Sequence, residues 1–232
     1  MVYAVSDLHG VYGVWRGILD KIGPSDTLYF LGDAADRGPD GWKILKEAMS
    51  DPRVIYIMGN HDEMLLDRFL IRSYDTVSLH NRNGGEPTWT ALVQDDDEEA
   101  IVNTIGKLTN CEYYTTYTRP DGKVIYMSHS GSCDTDYTID LIWDRSNLFC
   151  DPPKEYDYVV HGHTAIPHLL KTRQERDEFM GFDSEDTGYQ GGAFFYGTNK
   201  NKVDIDNLTI VSHSAILLNL DTMESIIIKE DA

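Results

Sequence analysis

Five apolar runs in this chain each end in residues of the types that can ligate metal ions or bind phosphate. "VYAV" (2–5) leads into "SDLHG", with Asp7 and His9 two positions apart. Side chains at i and i+2 point the same way at a strand's end, so an acid and an imidazole there can reach one ion. "TLYFL" leads into "GDAADRG", with Asp33, Asp36 and Arg37, and "RVIYIM" leads into "GNHD", with Asn60, His61 and Asp62. "VIYM" leads into "SHS", with His129, and "YVV" into "HGHT", with His161 and His163. One such ending is an ordinary turn; five in one chain point to a shared site, because open α/β sheets bind ligands beyond the carboxyl ends of their strands.

The chemistry follows from the donor types. Carboxylate, amide and imidazole together suit manganese, iron or zinc, whereas a purely hard ion would be served by oxygens alone. Asp7, His9, Asp33, Asn60, His129 and one histidine of "HGHT" make six candidate ligands. That is too many for one tetrahedral ion and right for two divalent ions sharing a bridging carboxylate. A two-metal site serves in-line displacement at phosphorus, activating a water and neutralising charge on the phosphoryl oxygens. No "CxxxxxR" or "GxSxG" pattern is present, so neither a cysteine nor a serine nucleophile is called for.

The elements that must position these residues are legible from periodicity. Val2–Val5 read as a buried strand, Val11–Ile22 as a helix with Val14, Ile18, Leu19 and Ile22 on one face, and 27–31 as a second strand. A helix from about Gly41 to Met49 and a strand at 53–58 complete a β-α-β-α-β pattern, which predicts right-handed crossovers and a largely parallel sheet. A further helix continues after Asp62; residues 72 to about 118 are less regular and are expected to hold one or two helices. Strand character returns at 124–128, 158–160, 208–220 and 225–229, the last two forming an antiparallel hairpin through "DTME". Residues 171–202, rich in charge, Gly, Asn and Tyr, read as a long surface loop or flap.

The 232 residues are expected to form one α/β domain. A net charge of -19 disfavours nucleic acid and anionic membranes as partners. It also repels a phosphorylated substrate unless bound cations reverse the sign locally. Part of the acidity, as in "DDDEEA" (95–100), reads as a solvated helix start. No targeting segment or long apolar run is evident, and the three cysteines are too scattered for a disulfide framework, so a soluble protein of a reducing cytoplasm is expected.

In this order, "DLHG", "GDAADRG", "GNHD", "SHS" and "HGHT" resemble the phosphoprotein phosphatase family of calcineurin-like metallophosphoesterases, and most nearly the small bacterial and bacteriophage Ser/Thr protein phosphatases. The likeness runs from residue 3 to about 165 and resumes from "VDID" (203–206) through "LNLDT". It implies an α/β sandwich of two mixed β-sheets flanked by helices, with the metals at one sheet edge. It implies Asp7, His9 and Asp33 on a first metal, with Asp33 bridging, and Asp33, Asn60, His129 and His163 on a second. His61 resembles the family's general acid, paired with Asp36, and Arg37 and Arg145 of "IWDR" resemble phosphate clamps, with Asn60 also facing the phosphate. The implied cofactors are two divalent ions, manganese in vitro and iron or zinc in the cell. The implied substrate is a phosphoprotein or phosphopeptide carrying phosphoserine, phosphothreonine or phosphotyrosine. A basic alkoxide leaving group makes a proton donor useful, and Asp36 would fix the tautomer of His61 and keep it protonated.

Three departures bear on substrate. Asp62 stands where protein phosphatases of this type usually have Glu, and Asp there is common in diadenosine tetraphosphate hydrolases, which makes that activity the alternative. Those hydrolases, however, tend to lack the acid found here as Asp36. In "DIDNLTIVSHS" Asp206 is kept while the expected glycines are replaced, and 171–202 looks like an insertion near the metal face. "NGG" (83–85) resembles a small loop near the substrate groove of phage-type enzymes. His80, His168 and His213 lie outside the motifs and are expected to be structural or solvated, and His161 to shape the site without binding metal.

Overall fold

A computed structural model of the chain describes residues 1–179 and 191–230. Two five-stranded mixed sheets face each other. The first holds β1 (Val2–Val5), β2 (Thr27–Phe30), β3 (Val54–Tyr56), β9 (Ser214–Asn219) and β10 (Ser225–Lys229), in the order β10-β9-β1-β2-β3. The second holds β4 (Tyr114–Thr118), β5 (Val124–Ser128), β6 (Tyr158–His161), β7 (Phe194–Tyr196) and β8 (Lys202–Asp204), in the order β4-β5-β6-β8-β7.

The expected β-α-β-α-β unit is present. β1 runs parallel to β2 with Val5 opposite Phe30, and β2 parallel to β3 with Phe30 opposite Tyr56. The crossovers are α1 (Tyr12–Lys21) and α2 (Gly41–Ser50). Strands covered on both faces must be apolar on both, and these are. Tyr3, Val5, Leu28 and Phe30 pack with Val14, Trp15, Ile18, Ile44 and Leu45 on the helical side. Ala4 and Tyr29 point the other way, joining Ile125, Met127, Val160 and Val203 between the sheets. Glu47 ties the two helices, accepting from Tyr12 Oη at 2.7 Å and from Trp15 Nε1 at 2.9 Å.

The structure departs from the sequence reading in three places. Residues 72–118 hold three helices, α4 (Tyr74–Arg82), α5 (Glu86–Val93) and α6 (Glu98–Leu108), as well as β4, following α3 (Asn60–Leu70). The run 208–220 is not one strand: α9 (Thr209–Ser212) occupies its start, bracketed by Leu208 (φ 54°) and His213 (φ 48°), left-handed residues that end any extended ladder. The 171–202 loop is largely ordered structure where described, because α8 (Ile166–Phe179) runs into it and β7 lies within it; residues 180–190 fall outside the described residues. The β9–β10 hairpin forms as expected, with Leu218 opposite Ser225. A short helix α7 (Thr138–Trp143) carries the chain from His129 towards Arg145. Among the described residues no helix is long and apolar enough to cross a membrane.

Candidate metal and phosphate site

The loops that leave β1 and β2 run side by side at the top of the first sheet. They are stitched by Asp7 N–H to Gly32 O (3.1 Å), His9 N–H to Asp33 O (3.0 Å) and Gly10 N–H to Ala34 O (3.0 Å). The loops leaving β5 and β6 are joined likewise by Gly162 N–H to His129 O (3.0 Å). His163 N–H then reaches across the sheets to Asp7 Oδ2 at 3.0 Å. This close approach explains Gly162, since a Cβ there would lie 2.1 Å from both Asp7 Oδ2 and Ser6 Oγ. The stitching also forces side-chain-bearing residues into the left-handed region, with positive φ at Asp7, His9, Asp33, Asp36, Arg37 and His163. Such conformations cost on the order of 1–3 kcal/mol each and cluster where function holds them.

All six proposed ligands converge, and all are buried. Two groups of donor atoms each fall within 4.8 Å of one another: Asp7, Asp33 and His129, and His9, Asp33 and His61. Each carboxylate has one oxygen committed to the backbone and the other turned inward. Asp33 Oδ1 accepts from His61 N–H at 2.9 Å, leaving Oδ2 at 3.3 Å from His129 Nε2 and 3.7 Å from His9 Nε2. Asp7 Oδ2 accepts from His163 N–H and from Ser6 Oγ, leaving Oδ1 at 3.8 Å from His9 Nε2. Asn60 Oδ1 lies 3.0 Å from His129 Nε2 and 2.9 Å from His163 Nδ1. Donors at right angles on one ion, each about 2.1 Å from it, stand about 3.0 Å apart, so this spacing fits a metal.

The imidazoles are oriented as ligands should be, by carbonyls behind them. His9 Nδ1 donates to Ala35 O at 3.0 Å and His129 Nδ1 to Leu31 O at 2.6 Å, which turns both Nε2 atoms into the site. Burial, with Arg37 and His61 nearby, takes His9 down to about 3. Burial, with His129 and Arg145, takes His163 down to about 2, so both offer neutral nitrogen. Burial opposes charge on His129 too, but Asp33 and Asp7 win and raise it to about 10. Burying Asp7 and Asp33 together favours positive charge beside them, and the Arg37 guanidinium lies 2.7 Å from His9 Nε2. Divalent ions held by these donors would meet the same demand.

Beside these donors lies a buried histidine–aspartate pair. His61 Nδ1 donates to Asp36 Oδ2 at 2.9 Å, while His61 Nε2 accepts from Arg37 Nη2 at 2.8 Å. The "NGG" loop supports Arg37, whose N–H donates to Gly84 O at 2.9 Å. Arg145 sits at the exposed rim, Nε donating to Thr164 Oγ1 at 3.1 Å. His161 faces away from the ligands, its Nε2 2.7 Å from Tyr196 Oη. His168 and His213 are exposed.

Asp62 does not face the phosphate side. Its Oδ2 accepts from Asp33 N–H (2.8 Å), Tyr56 Oη (2.9 Å) and Gly59 N–H (3.2 Å), so it folds the two ligand-bearing loops together at the start of α3. Burial next to Asp33 pushes it up to about 7. Asp204 and Asp206 lie buried behind the site, both raised well above the ordinary carboxylate range by burial. His80, expected to be structural or solvated, is fully buried with Nε2 2.9 Å from Asp36 Oδ1, a pairing the sequence did not show. The signal that pointed its way was the neighbouring "NGG".

Comparison with known proteins agrees with this geometry. The family model described as calcineurin-like phosphoesterase matches residues 1–183. A symmetrical bis(5'-nucleosyl)-tetraphosphatase of Hamiltonella defensa is 23% identical over 198 residues, 78% of this chain and 62% of that protein. The namesake from Photorhabdus laumondii is 30% identical over 56% of this chain and 43% of its own length. The chain therefore spans less than two thirds of these curated relatives. Among solved structures, a protein provisionally assigned as a diadenosine tetraphosphatase superposes with a TM-score of 0.59 at 15% identity, over 97% of this chain and 91% of its own. A serine/threonine phosphatase from Saccharomyces cerevisiae also gives 0.59, at 12% identity, over 100% of this chain and 80% of its own. On the family match and the shared two-sheet fold, this chain belongs to the calcineurin-like phosphoesterase family.

Proposed function

We propose that this chain is a metal-dependent phosphomonoesterase that removes phosphate from serine and threonine side chains of proteins and accepts phosphotyrosine and aryl phosphates as well. The observation that carries this reading is the buried Asp36–His61 pair, 2.9 Å apart beside the ligand cluster. A departing serine or threonine alkoxide is a strong base and leaves far more readily with a proton. The nucleotide that leaves a dinucleoside polyphosphate is a weak base and needs none. A dedicated acid therefore favours the ester of an alcohol.

Asp7, His9, Asp33, Asn60, His129 and His163 would hold two divalent ions, of manganese, iron or zinc. When bound, such ions neutralise charge on the phosphoryl oxygens and lower the pKa of the attacking water. Arg37 and Arg145 present planar forks that match phosphate oxygens bidentately. As Arg37 turns its N–H groups to the phosphoryl oxygens it releases His61 Nε2. The freed Nε2 takes up a proton from solvent, Asp36 offsetting the positive charge on the ring, and gives it to the leaving oxygen while Nδ1–H stays on Asp36. The bond from phosphorus to that oxygen breaks, and water oxygen replaces it, giving phosphate and the free alcohol.

Hydrolysis of a dinucleoside polyphosphate is the second reading, favoured by the names of the curated relatives. The deciding experiment offers metal-stripped protein, with and without Mn²⁺, three substrates: para-nitrophenyl phosphate, a phosphoserine peptide and diadenosine tetraphosphate. Mn²⁺-dependent release from the first two is expected, with His61→Asn losing about 10²–10⁴-fold on the peptide at unchanged metal content. Turnover of diadenosine tetraphosphate alone would overturn the proposal in favour of the second reading.

A further inference from the structure

Asp36 is held by two histidines. Its Oδ2 accepts a hydrogen bond from His61 Nδ1–H and its Oδ1 lies 2.9 Å from His80 Nε2, with all three side chains buried. His80 comes from α4, an element that supplies none of the ligands. Behind it, His80 Nδ1 lies 3.4 Å from Arg68 Nη1. A guanidinium can only donate, so Nδ1 carries the lone pair and Nε2–H points at Asp36. Arg68 is itself fixed, donating to Asn81 Oδ1 and lying 4.3 Å over the Trp89 ring. Gly85 makes room for this arrangement, because a Cβ there would lie 2.2 Å from His80 Cδ2 and Nε2. Thr88 Oγ1 completes the support by accepting Asp36 N–H at 2.7 Å.

We propose that His80 is a positioning residue for catalysis: it locks the Asp36 carboxylate so that His61 keeps its proton on Nδ1 towards Asp36 and aims Nε2 at the leaving oxygen. The role rests on the phosphomonoesterase reading above, and it extends that reading to a residue on a separate helix. A carboxylate free to rotate would hold His61 in a spread of orientations, and the cost would fall on the step that needs the proton. His80 would therefore matter in proportion to the basicity of the leaving group. It would not affect metal binding, since it touches none of the six ligands through the contacts described.

Leaving-group dependence tests this. The Mn²⁺-loaded wild type, His80→Ala, His80→Gln and Gly85→Ala are compared on a phosphoserine peptide and on 2,4-dinitrophenyl phosphate, whose leaving group needs no proton. The expected result is a kcat for the peptide about 10–100-fold lower in His80→Ala and Gly85→Ala. The loss on the dinitrophenyl ester is smaller by at least about tenfold, KM is little changed, and His80→Gln, which can still donate to Asp36, recovers most of the activity. In metal-free protein, ¹⁵N–¹H correlation of the imidazoles should show His80 as the Nε2–H tautomer and His61 as the Nδ1–H tautomer, with the His61 preference lost in His80→Ala. Equal losses on both esters, or a His80 tautomer protonated at Nδ1, would overturn the role of His80 alone. A wild type inactive on both esters would overturn the phosphomonoesterase reading and this role with it.

Discussion

Asp33 is the residue on which the site turns, because it belongs to both groups of converging donors. Its Oδ1 is spent on the His61 N–H, so Oδ2 is left 3.7 Å from His9 Nε2 and 3.3 Å from His129 Nε2. His9, by contrast, belongs to one group only. Asp33→Asn is therefore expected to lose both ions, whereas His9→Ala loses one. Metal analysis after dialysis against Mn²⁺ distinguishes the two, and an Asp33→Asn protein that keeps a full ion would remove the bridging role. The converging donors were legible in the sequence because each sits in a short motif at a strand's end, where chain order and spacing are visible. His80 was not, because its partner Asp36 lies 44 residues away and α4 buries no other residue that would mark a packed face. Asp62 suggested a substrate by its identity, and the structure adds a local role, because its three hydrogen bonds make it part of the turn that carries Asn60 and His61.

At the level of elements, periodicity was enough for the β1-α1-β2-α2-β3 unit, whose strands are apolar on both faces and whose helices each present one stripe. It failed where backbone conformation overrode composition, as at Leu208 and His213, whose left-handed backbones end the extended run of apolar residues. It under-counted the helices across α4 to α6, which pack Leu92, Ile105 and Leu108 into the core and tie back to α2 through polar contacts. One of those contacts is testable. Asp95, in the link between α5 and α6, accepts from Lys46 Nζ and from Trp42 Nε1 (2.7 Å) on α2, and these bonds hold its carboxyl down at about 2. In the unfolded chain an aspartate titrates near about 3.9. The unfolded state therefore binds the proton first on acidification, so the contribution of the pair is complete above about pH 4 and is lost as pH falls through about 2. Asp95→Asn should lower the urea midpoint at pH 7 and converge with the wild type near pH 2. Parallel curves across that range would show that the tie adds nothing through its charge.

The whole molecule carries a charge of -19, yet the reaction proposed for it begins with an anion approaching a site that already holds Asp7 and Asp33. Arg37 and Arg145 offset this locally, and the two ions would do so further, but substrate still has to cross the outer field to reach them. The consequence is a dependence on ionic strength whose sign follows the substrate. The Debye length shortens from about 30 Å at 0.01 M salt to about 8 Å at 0.15 M, less than the span of the molecule. Screening should therefore raise kcat/KM for a phosphopeptide with acidic flanks by severalfold over that range. It should lower kcat/KM for one with lysine flanks, which the field attracts. The chemical step is buried among the ligands and insulated from bulk salt, so kcat should change little for either. Steady-state kinetics with the two peptides at fixed Mn²⁺ makes the comparison directly. Opposite trends would identify basic flanking sequence as part of what the acidic surface selects. Salt-independence of both would mean that the arginines and the ions alone set the potential felt by substrate.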